Sequence, residues 1–377
     1  MKSNYKRLGD YIETVKVRNS ELKAKELLGI NINKHFMPSV ANIVGTDLSN
    51  YKLVQKNQFA CNRMHVGRDY RIPVAVSEIE EPFIVSPAYD VFEIKDSKVL
   101  LPEYLMMWFE RAEFDRNAWF YTDADVRGGL AWQAFEDMQL PIPQIEKQRE
   151  IVKEYNTIQN RIALNQQLIQ KLEETAQTIY RNVIEGNQCE EYSLKDLCLF
   201  QEGYVNPSQE FAKYFDGNVK WLRANDVNGG FILNTSRTLT EEGFNSAGTS
   251  ALLFSPQTIV ITKSGTIGRL GILCDYMCGN RAVINIKPKE DDNLPLIFFF
   301  LKSKYNELVE MAVGSAQANL YVPILASLRI NLPDKKDISR FNMASKSLLE
   351  LMKFKTIENQ KLIELKALLL SKLATAE

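Results

Sequence analysis

Histidine is nearly absent from this chain: the 377 residues include two, His35 and His65, far apart in sequence. Histidine-based triads and histidine-rich metal sites are therefore poorly supplied. The five cysteines, Cys61, Cys189, Cys198, Cys274 and Cys278, form no C-x-x-C pair. An odd number without such pairs suits reduced thiols in a cytosol rather than a disulfide framework. Cys274 and Cys278 have the spacing of one helix face, but no second ligand pair follows at zinc spacing, so both read as small buried hydrophobes. Long apolar runs are missing too. The longest, Leu294 to Leu301, spans 8 residues and contains a proline, against the ~20 that a membrane helix needs. The opening Met1-Lys2-Ser3-Asn4-Tyr5-Lys6-Arg7 leads into no apolar segment of the secretory kind. Charge of one sign is not in excess: 46 Lys and Arg face 47 Asp and Glu. No polycation is available for unselective binding to nucleic acid or membrane. The expectation is a cytoplasmic protein without membrane contact.

What is present is a repeat. The chain is long enough for two or three cores, and its halves resemble each other. Gly129-Leu-Ala-Trp-Gln-Ala-Phe-Glu-Asp-Met-Gln-Leu-Pro-Ile-Pro143 aligns with Asn319-Leu-Tyr-Val-Pro-Ile-Leu-Ala-Ser-Leu-Arg-Ile-Asn-Leu-Pro333, an offset of 190 residues. Leu101-Pro102 and Leu294-Pro295 each open an apolar, helix-like run. Val66-Gly67-Arg68 has a counterpart in Ile267-Gly268-Arg269, and Leu8-Gly9-Asp10 in Leu194-Lys195-Asp196. After each matched proline comes a long stretch without a helix breaker. The resulting organisation is globular 1–143, helix 144–186, globular 187–333, helix 334–377.

The first helix carries the clearest signal. Ile151, Tyr155, Ile158, Ile162, Asn165, Ile169, Leu172, Ala176, Ile179 and Val183 recur at alternating steps of 4 and 3, the seam of a coiled coil. Gly186 supplies a stop. The second helix has a broader stripe of Leu348, Met352, Asn359, Leu362, Ile363, Leu369, Leu370 and Leu373. Each helix should run about 40 residues, hence ~60 Å at 1.5 Å per residue, and the two should pack on each other. Asn165 in the seam and Asn359 in the partner stripe are polar positions that either fix register at a cost in stability or are merely tolerated. In the globular segments Val91–Ile94, Thr258–Thr262 and Ala282–Ile286 read as strands, and Leu101–Phe114 and Leu294–Leu308 as helices. Each segment is expected to be a mixed α/β (α+β) domain.

Two variable globular domains alternating with two long, similar helices, each introduced by a Leu/Pro-rich strand, resemble the specificity subunit of type I restriction–modification systems. Phe36-Met-Pro-Ser-Val40, Phe59-Ala-Cys-Asn62 leading to Gly67-Arg68, Ser86-Pro-Ala-Tyr89 and Lys263-Ser-Gly-Thr-Ile-Gly-Arg269 also fit that pattern. The resemblance spans essentially the whole chain. It implies two target recognition domains, each reading one half of a bipartite asymmetric site in double-stranded DNA. It also implies an antiparallel coiled coil that relates the domains by a pseudo-twofold axis, acts as a spacer and docks methyltransferase subunits, two in number. Restriction and translocase subunits are further partners it suggests. No cofactor is expected on this chain; S-adenosylmethionine, ATP and Mg²⁺ would belong to partner subunits.

Charge bookkeeping constrains this reading. Residues 1–143 carry 18 Lys and Arg against 20 Asp and Glu, and residues 187–333 carry 13 against 15. DNA affinity comes largely from phosphate neutralisation, so partner subunits should supply much of the phosphate grip while this chain supplies base contacts. Basic residues do cluster locally: Lys52, Lys56, Arg63, Arg68 and Arg71 surround the single acid Asp69, and Lys263, Arg269 and Arg281 face only Asp275. Candidate base-reading residues are Arg63, His65, Arg68, Tyr70 and Arg71 in the first domain, and Lys263, Ser264, Thr266, Arg269 and Arg281 in the second. Arg and Lys are suited to bidentate contacts on base edges; taken singly, each residue is more often a solvated charge or a turn former.

Other activities lack their motifs. Asn206-Pro207-Ser208-Gln209 has neither the second proline nor the aromatic residue of a DNA amino-methyltransferase. Gly265-Thr-Ile-Gly268-Arg269 lacks the spacing and the Lys-hydroxyl pair of a phosphate-cradling loop. Asp10 with Glu21-Leu22-Lys23 is a loose match to the paired carboxylates of a Mg²⁺-dependent nuclease, a pattern common by chance in charged chains. The chain reads as non-catalytic, with two alternatives: a coiled-coil scaffold without a DNA role, or a metal-dependent nuclease using Asp10, Glu21 and Lys23.

Overall fold

The computed structural model describes residues 5–40, 45–64, 66–122, 128–312 and 318–375. The chain divides into two compact units, one of Met1–Ile162 with Leu362–Glu377 and one of Ala163–Lys361. In the first unit the chain runs through β1 (Tyr5–Arg7), β2 (Ile12–Thr14), β3 (Phe59–Cys61), the one-turn helix α1 (Val66–Asp69), β4 (Val74–Val76) and β5 (Asp90–Ile94). It continues through α2 (Pro102–Phe109), α3 (Ala112–Phe120), α4 (Trp132–Asp137), β6 (Gln139–Pro141) and the long helix α5 (Ile145–Glu185), which from Ala163 onward belongs to the second unit. The second unit continues with β7 (Glu190–Ser193), β8 (Cys198–Glu202), β9 (Ile259–Thr262), β10 (Leu270–Leu273) and β11 (Val283–Pro288). Then come α6 (Leu294–Ser303), α7 (Tyr305–Glu310), α8 (Val322–Ser327), β12 (Arg329–Leu332) and the long helix α9 (Lys335–Lys372), which from Leu362 onward belongs to the first unit. Shorter strands complete each unit.

The repeat read from the sequence is a repeat of topology. One sheet has the order β2-β5-β3-β4, the other β8-β11-β9-β10 with the strand Phe231–Ile232 added at the edge. The labelled strands are antiparallel throughout, with Phe59 opposite both Phe92 and Val76 in one sheet and Ile259 opposite both Ile286 and Ile272 in the other. In each unit the opening strand pairs antiparallel with the strand that precedes the long helix: Tyr5 with Pro141, and Glu190 with Leu332.

The cores follow from where the apolar residues fall. Phe59, Ala60 and Cys61 are all buried because β3 is central and covered on both faces. Phe59 stacks on Phe92 at 5.0 Å, and Phe109 and Phe135 close over Phe92 at 6.3 and 5.6 Å. In α2 every residue from Tyr104 to Phe109 is buried, as expected for a helix enclosed on all sides. Pro102 and Pro295 each stand at the start of their helices, where a missing N–H costs nothing. Buried Gln148 stitches the start of α5 to the approach to α2: its Nε2 donates to the carbonyls of Val99 and Pro143, both at 2.8 Å, and its Oε1 accepts from Leu101 N at 2.9 Å.

Two expected helices are each broken in two. The run from Leu101 stops at Glu110, because Arg111 takes an extended backbone that lays its guanidinium over Trp108, 4.2 Å from the ring centroid. The run from Leu294 breaks at Lys304. The Cys274–Cys278 segment is not helical: Cys278 lies in the strand Met277–Gly279 and Cys274 just precedes it. Burial pushes the thiols of Cys198 and Cys278 up to about 12.

The two long helices run antiparallel where they meet. In the first unit Lys366 lies over the Tyr155 ring, and both engage Glu110. In the second, Tyr180 packs on Phe341 at 5.8 Å, and Asn165 Nδ2 donates to Asn359 Oδ1 at 2.9 Å with both side chains buried. The seam of α5 follows the 4-and-3 spacing from Ile151 to Asn165; further on, Ile169, Leu172, Ile179 and Val183 are half-buried and Ala176 and Tyr180 are the buried residues. Of the stripe expected on α9, Met352, Asn359 and Leu370 are buried, as is Leu373 just past its end; Phe341, Ser345 and Leu349 are buried besides, and Ile363 is exposed. Asn165→Leu alone should strand a buried amide and lower stability by about 1–3 kcal/mol. Asn165→Leu with Asn359→Leu should return the thermal midpoint to the parent value or above, since an apolar pair replaces both partners. Calorimetry of the three proteins checks this; a double variant no more stable than the single one would mean the amide pair is not the source of the loss.

Candidate nucleic-acid interface

The two sets of candidate residues occupy the same place in the two units. Residues 62–73 connect β3 to β4, and residues 263–269 connect the equivalent β9 to β10. In both loops a backbone carbonyl near the start, that of the second or first residue, takes the same long-range bond: Leu130 N donates to Arg63 O at 3.0 Å, and Leu320 N to Lys263 O at 2.9 Å.

Arg63 and Lys263 are engaged within the fold. Arg63 Nε donates to Asp90 Oδ2 at 2.6 Å, its Nη1 donates to the Leu130 carbonyl, and the guanidinium lies over the Trp132 ring. Lys263 Nζ pairs with Glu202 Oε2 at 3.1 Å and lies over Tyr321. With side chains 20% and 15% exposed, both tie the root of a loop to a carboxylate of the sheet.

Further along the first loop the side chains turn outward. His65 lies outside the described residues. Arg68, on α1, holds Asp69 in a two-pronged pair at 2.7 and 2.9 Å, which stabilises its charged form. Gly67 meets Gly128 so closely that a Cβ would stand 2.7 Å from the Gly128 Cα, and Gly67 N donates to Gly128 O at 2.8 Å. Tyr70 has φ +56°, a left-handed conformation costly for an aromatic residue, and its exposed ring leans on Trp119 at 5.3 Å. Arg71 is exposed and lines a cleft of about 460 Å³ with Tyr70, Lys34, Arg116 and Lys366. Among the described residues no carboxylate pairs with Arg71.

In the second loop the hairpin is tied by one buried hydroxyl. Thr262 Oγ1 donates to the Thr266 carbonyl and accepts from Arg269 N at 2.9 Å. Ser264 is half-buried, while Thr266 and Arg269 are exposed. Gly268, at φ +82°, passes against the Tyr305 ring, where a Cβ would approach to 3.3 Å. Lys263 N donates to Ala282 O at 2.8 Å, which sets exposed Arg281 beside this loop.

Sequence reasoning missed two further groups. Trp119, Phe120 and Tyr121 are exposed at the end of α3, Phe120 to 78%; the aromatic run is visible in the sequence, but nothing there shows it outside the core. In the second unit Arg237 stacks on Phe215 at 4.1 Å and donates to Gln209 Oε1 at 2.7 Å. Arg223 lies over Trp221 and donates to Ser236 Oγ at 2.7 Å. Stacked guanidiniums, free arginines and exposed aromatic faces suit base edges and phosphates. The residues of the nuclease alternative are paired otherwise: Asp10 with Arg7 at 3.2 Å, and Glu21 with Lys23. Among the described residues no group of three or more His, Cys, Asp or Glu side chains is placed to hold a metal ion.

The family model described as the type I restriction modification DNA specificity domain matches this chain twice, over residues 41–174 and 187–367. The chain is 20% identical to the HindI type I restriction enzyme specificity subunit of Haemophilus influenzae, over 92% of each protein. It is 22% identical to the MjaVIII specificity subunit of Methanocaldococcus jannaschii, over 64% of this chain and 63% of that protein. The crystal structure of the type I restriction–modification S subunit from M. genitalium shares the fold, with a TM-score of 0.57 at 13% identity over 98% of this chain and 95% of the other. With both matched segments built on the same sheet order and each carrying a loop at the same sheet position, the chain belongs to the type I restriction modification DNA specificity family.

Proposed function

We propose that this chain is the DNA-reading subunit of a type I restriction–modification assembly, each unit reading one half of a bipartite, asymmetric site in double-stranded DNA. The observation that carries this reading is the pair of loops at equivalent sheet positions with unlike exposed side chains: Arg68, Tyr70 and Arg71 in one, Thr266, Arg269 and neighbouring Arg281 in the other. Equivalent placement lets both loops approach a groove in the same way, and unlike chemistry makes the half-sites differ. Arg63 and Lys263 serve as loop anchors, with Ser264 beside the second.

On this reading the chain is non-catalytic. Two methyltransferase subunits dock on the paired long helices, and methylation and cleavage belong to partner subunits, with S-adenosylmethionine, ATP and Mg²⁺ bound there. The near-neutral charge of each half supports this division, because the phosphate grip then comes from the partners. A DNA-reading role supports a cytoplasmic location.

Sequencing of modified bases, genome-wide, in cells expressing the chain with its methyltransferase partner tests the reading: one bipartite adenine-methylation motif should disappear when the gene is removed. Arg71→Ala should relax the first half-site, leave the second unchanged and alter stability by no more than about 0.5 kcal/mol. Arg63→Ala should instead lower stability by about 2 kcal/mol, since it removes charged hydrogen bonds from a largely covered site. A variant at Arg71 that changed both halves would contradict the assignment of one unit to one half-site.

The paired helices should also set the spacing between half-sites. One heptad added to each at matched layers keeps the 3.5-residue seam and adds ~10 Å, or about 3 base pairs. The preferred spacer should then change, or tight binding should vanish, with the bases of each half-site unaltered. Selection of sites from random DNA by the assembled complex measures this; an unchanged spacer at full affinity would show that the helices do not set the distance.

A further inference from the structure

The first-unit loop is held by a device that its counterpart does not share among the described residues. Lys34 and Asp115 form a buried ion pair, Nζ to Oδ1 at 2.8 Å, with side chains 5% and 11% exposed. Lys34 Nζ also donates to the Phe109 carbonyl. The same Asp115 Oδ1 accepts the backbone N–H of Ile72 at 3.1 Å, directly after Tyr70 and Arg71. Burial works against the charge on Lys34, and Asp115 is the partner that sustains it. The carboxylate therefore comes from α3, its lysine from the segment before the strand Phe36–Pro38, and the amide from the loop itself. In the second unit the equivalent loop is tied from within by Thr262.

We infer that Asp115, held in place by Lys34, is the positioning residue of the first reading loop: it fixes the Ile72 amide and so the direction in which Tyr70 and Arg71 leave the surface. The physical ground is that Tyr70 stands at φ +56°, a conformation that persists only where its surroundings over-determine it. A bidentate arginine contact tolerates little displacement, so a loop freed at Ile72 keeps its side chains but loses their aim. Lys34 and Asp115 themselves touch no base. This inference rests on the reading proposed above.

Two double variants separate the hydrogen bond from the ion pair. Lys34→Met with Asp115→Asn removes both charges and keeps an oxygen acceptor for Ile72 N–H. Lys34→Met with Asp115→Leu removes both charges and the acceptor. Replacing a buried pair by uncharged side chains of similar size is often near neutral for stability, so both should fold, which thermal unfolding checks directly.

Each is expressed as the full chain with its methyltransferase partner, and the methylated motif is read by sequencing modified bases, with Arg71→Ala alongside. The Asn variant should keep the parent motif. The Leu variant should lose selectivity roughly tenfold at one or more positions of the first half-site only, and amide exchange across residues 66–73 should rise in it alone. Thr262→Val, the internal control, should affect the second half-site only. If Arg71→Ala relaxes the first half-site while the Leu and Asn variants share the parent motif, the positioning role is overturned and the reading assignment stands. If Arg71→Ala and the Leu variant both leave the first half-site intact, the reading assignment fails and the positioning role with it. Equal relaxation in the Leu and Asn variants would also overturn it, since the acceptor would then not be what matters.

Discussion

A 41-residue helix with one apolar face cannot be stable alone, and the covering of that face is the constraint from which each unit is built. Helices within proteins gain most of their stability from tertiary packing. The seam of α5 enters the cores of the units: Ile151 and Tyr155 join Phe59, Phe92 and Leu370 in one, and Ala176 and Tyr180 join Ile259, Ile286 and Phe341 in the other. In each unit the antiparallel pairing of opening and closing strands, and the buried helix that begins at Leu-Pro, carry the chain into or against a long helix. The recurrence of Leu101-Pro102, Leu294-Pro295 and the Leu/Pro strands is thus a packing requirement met twice.

Among the polar groups inside these cores, those that are paired do separate jobs. Gln148 closes three backbone positions at the head of α5. Asn165 and Asn359 satisfy each other at a single layer. An unmatched amide in an apolar seam is costly while a matched one is tolerated, so a register shift of the helices in this unit would place both asparagines against hydrocarbon. The pair therefore penalises wrong registers more than it stabilises the right one.

Much of the fold was legible because it is periodic or repeated. The seam of α5 followed from a 4-and-3 spacing of ten residues, and the strands at Val91, Ile259 and Val283 from short β-branched runs. What was not legible depended on tertiary contacts. No glycine or proline announces the break at Arg111, where an extended backbone lays the guanidinium over Trp108. Ile363 and Phe341 could not be ranked from a stripe alone, because the face α9 buries is chosen by its neighbours. The loops between paired strands could be located from their glycines and basic residues, and Gly67 and Gly268 both sit where a side chain would crowd a neighbour. Which basic residue anchors and which projects could not be read, since Arg63 and Arg71 look alike until Asp90 and the Leu130 carbonyl are seen to hold one of them.

The same distinction explains how a chain with no excess of positive charge can carry sequence information about a polyanion. Affinity scales with the number of phosphates neutralised, whereas discrimination needs a few donors and acceptors held at fixed positions against base edges. Here the cations nearest the sheet are spent on anchoring: Arg63 on Asp90, Lys263 on Glu202, Lys34 on Asp115. Each such pair removes a charge from the phosphate count and converts it into rigidity of a loop. Arg71, Arg269 and Arg281 remain exposed at loops whose roots are fixed, one set through a carboxylate on a helix and the other through a hydroxyl within the hairpin. Because the two loops are supported by different groups, either can change its exposed residues without disturbing the support of the other. That independence is what a reader of two unlike half-sites requires.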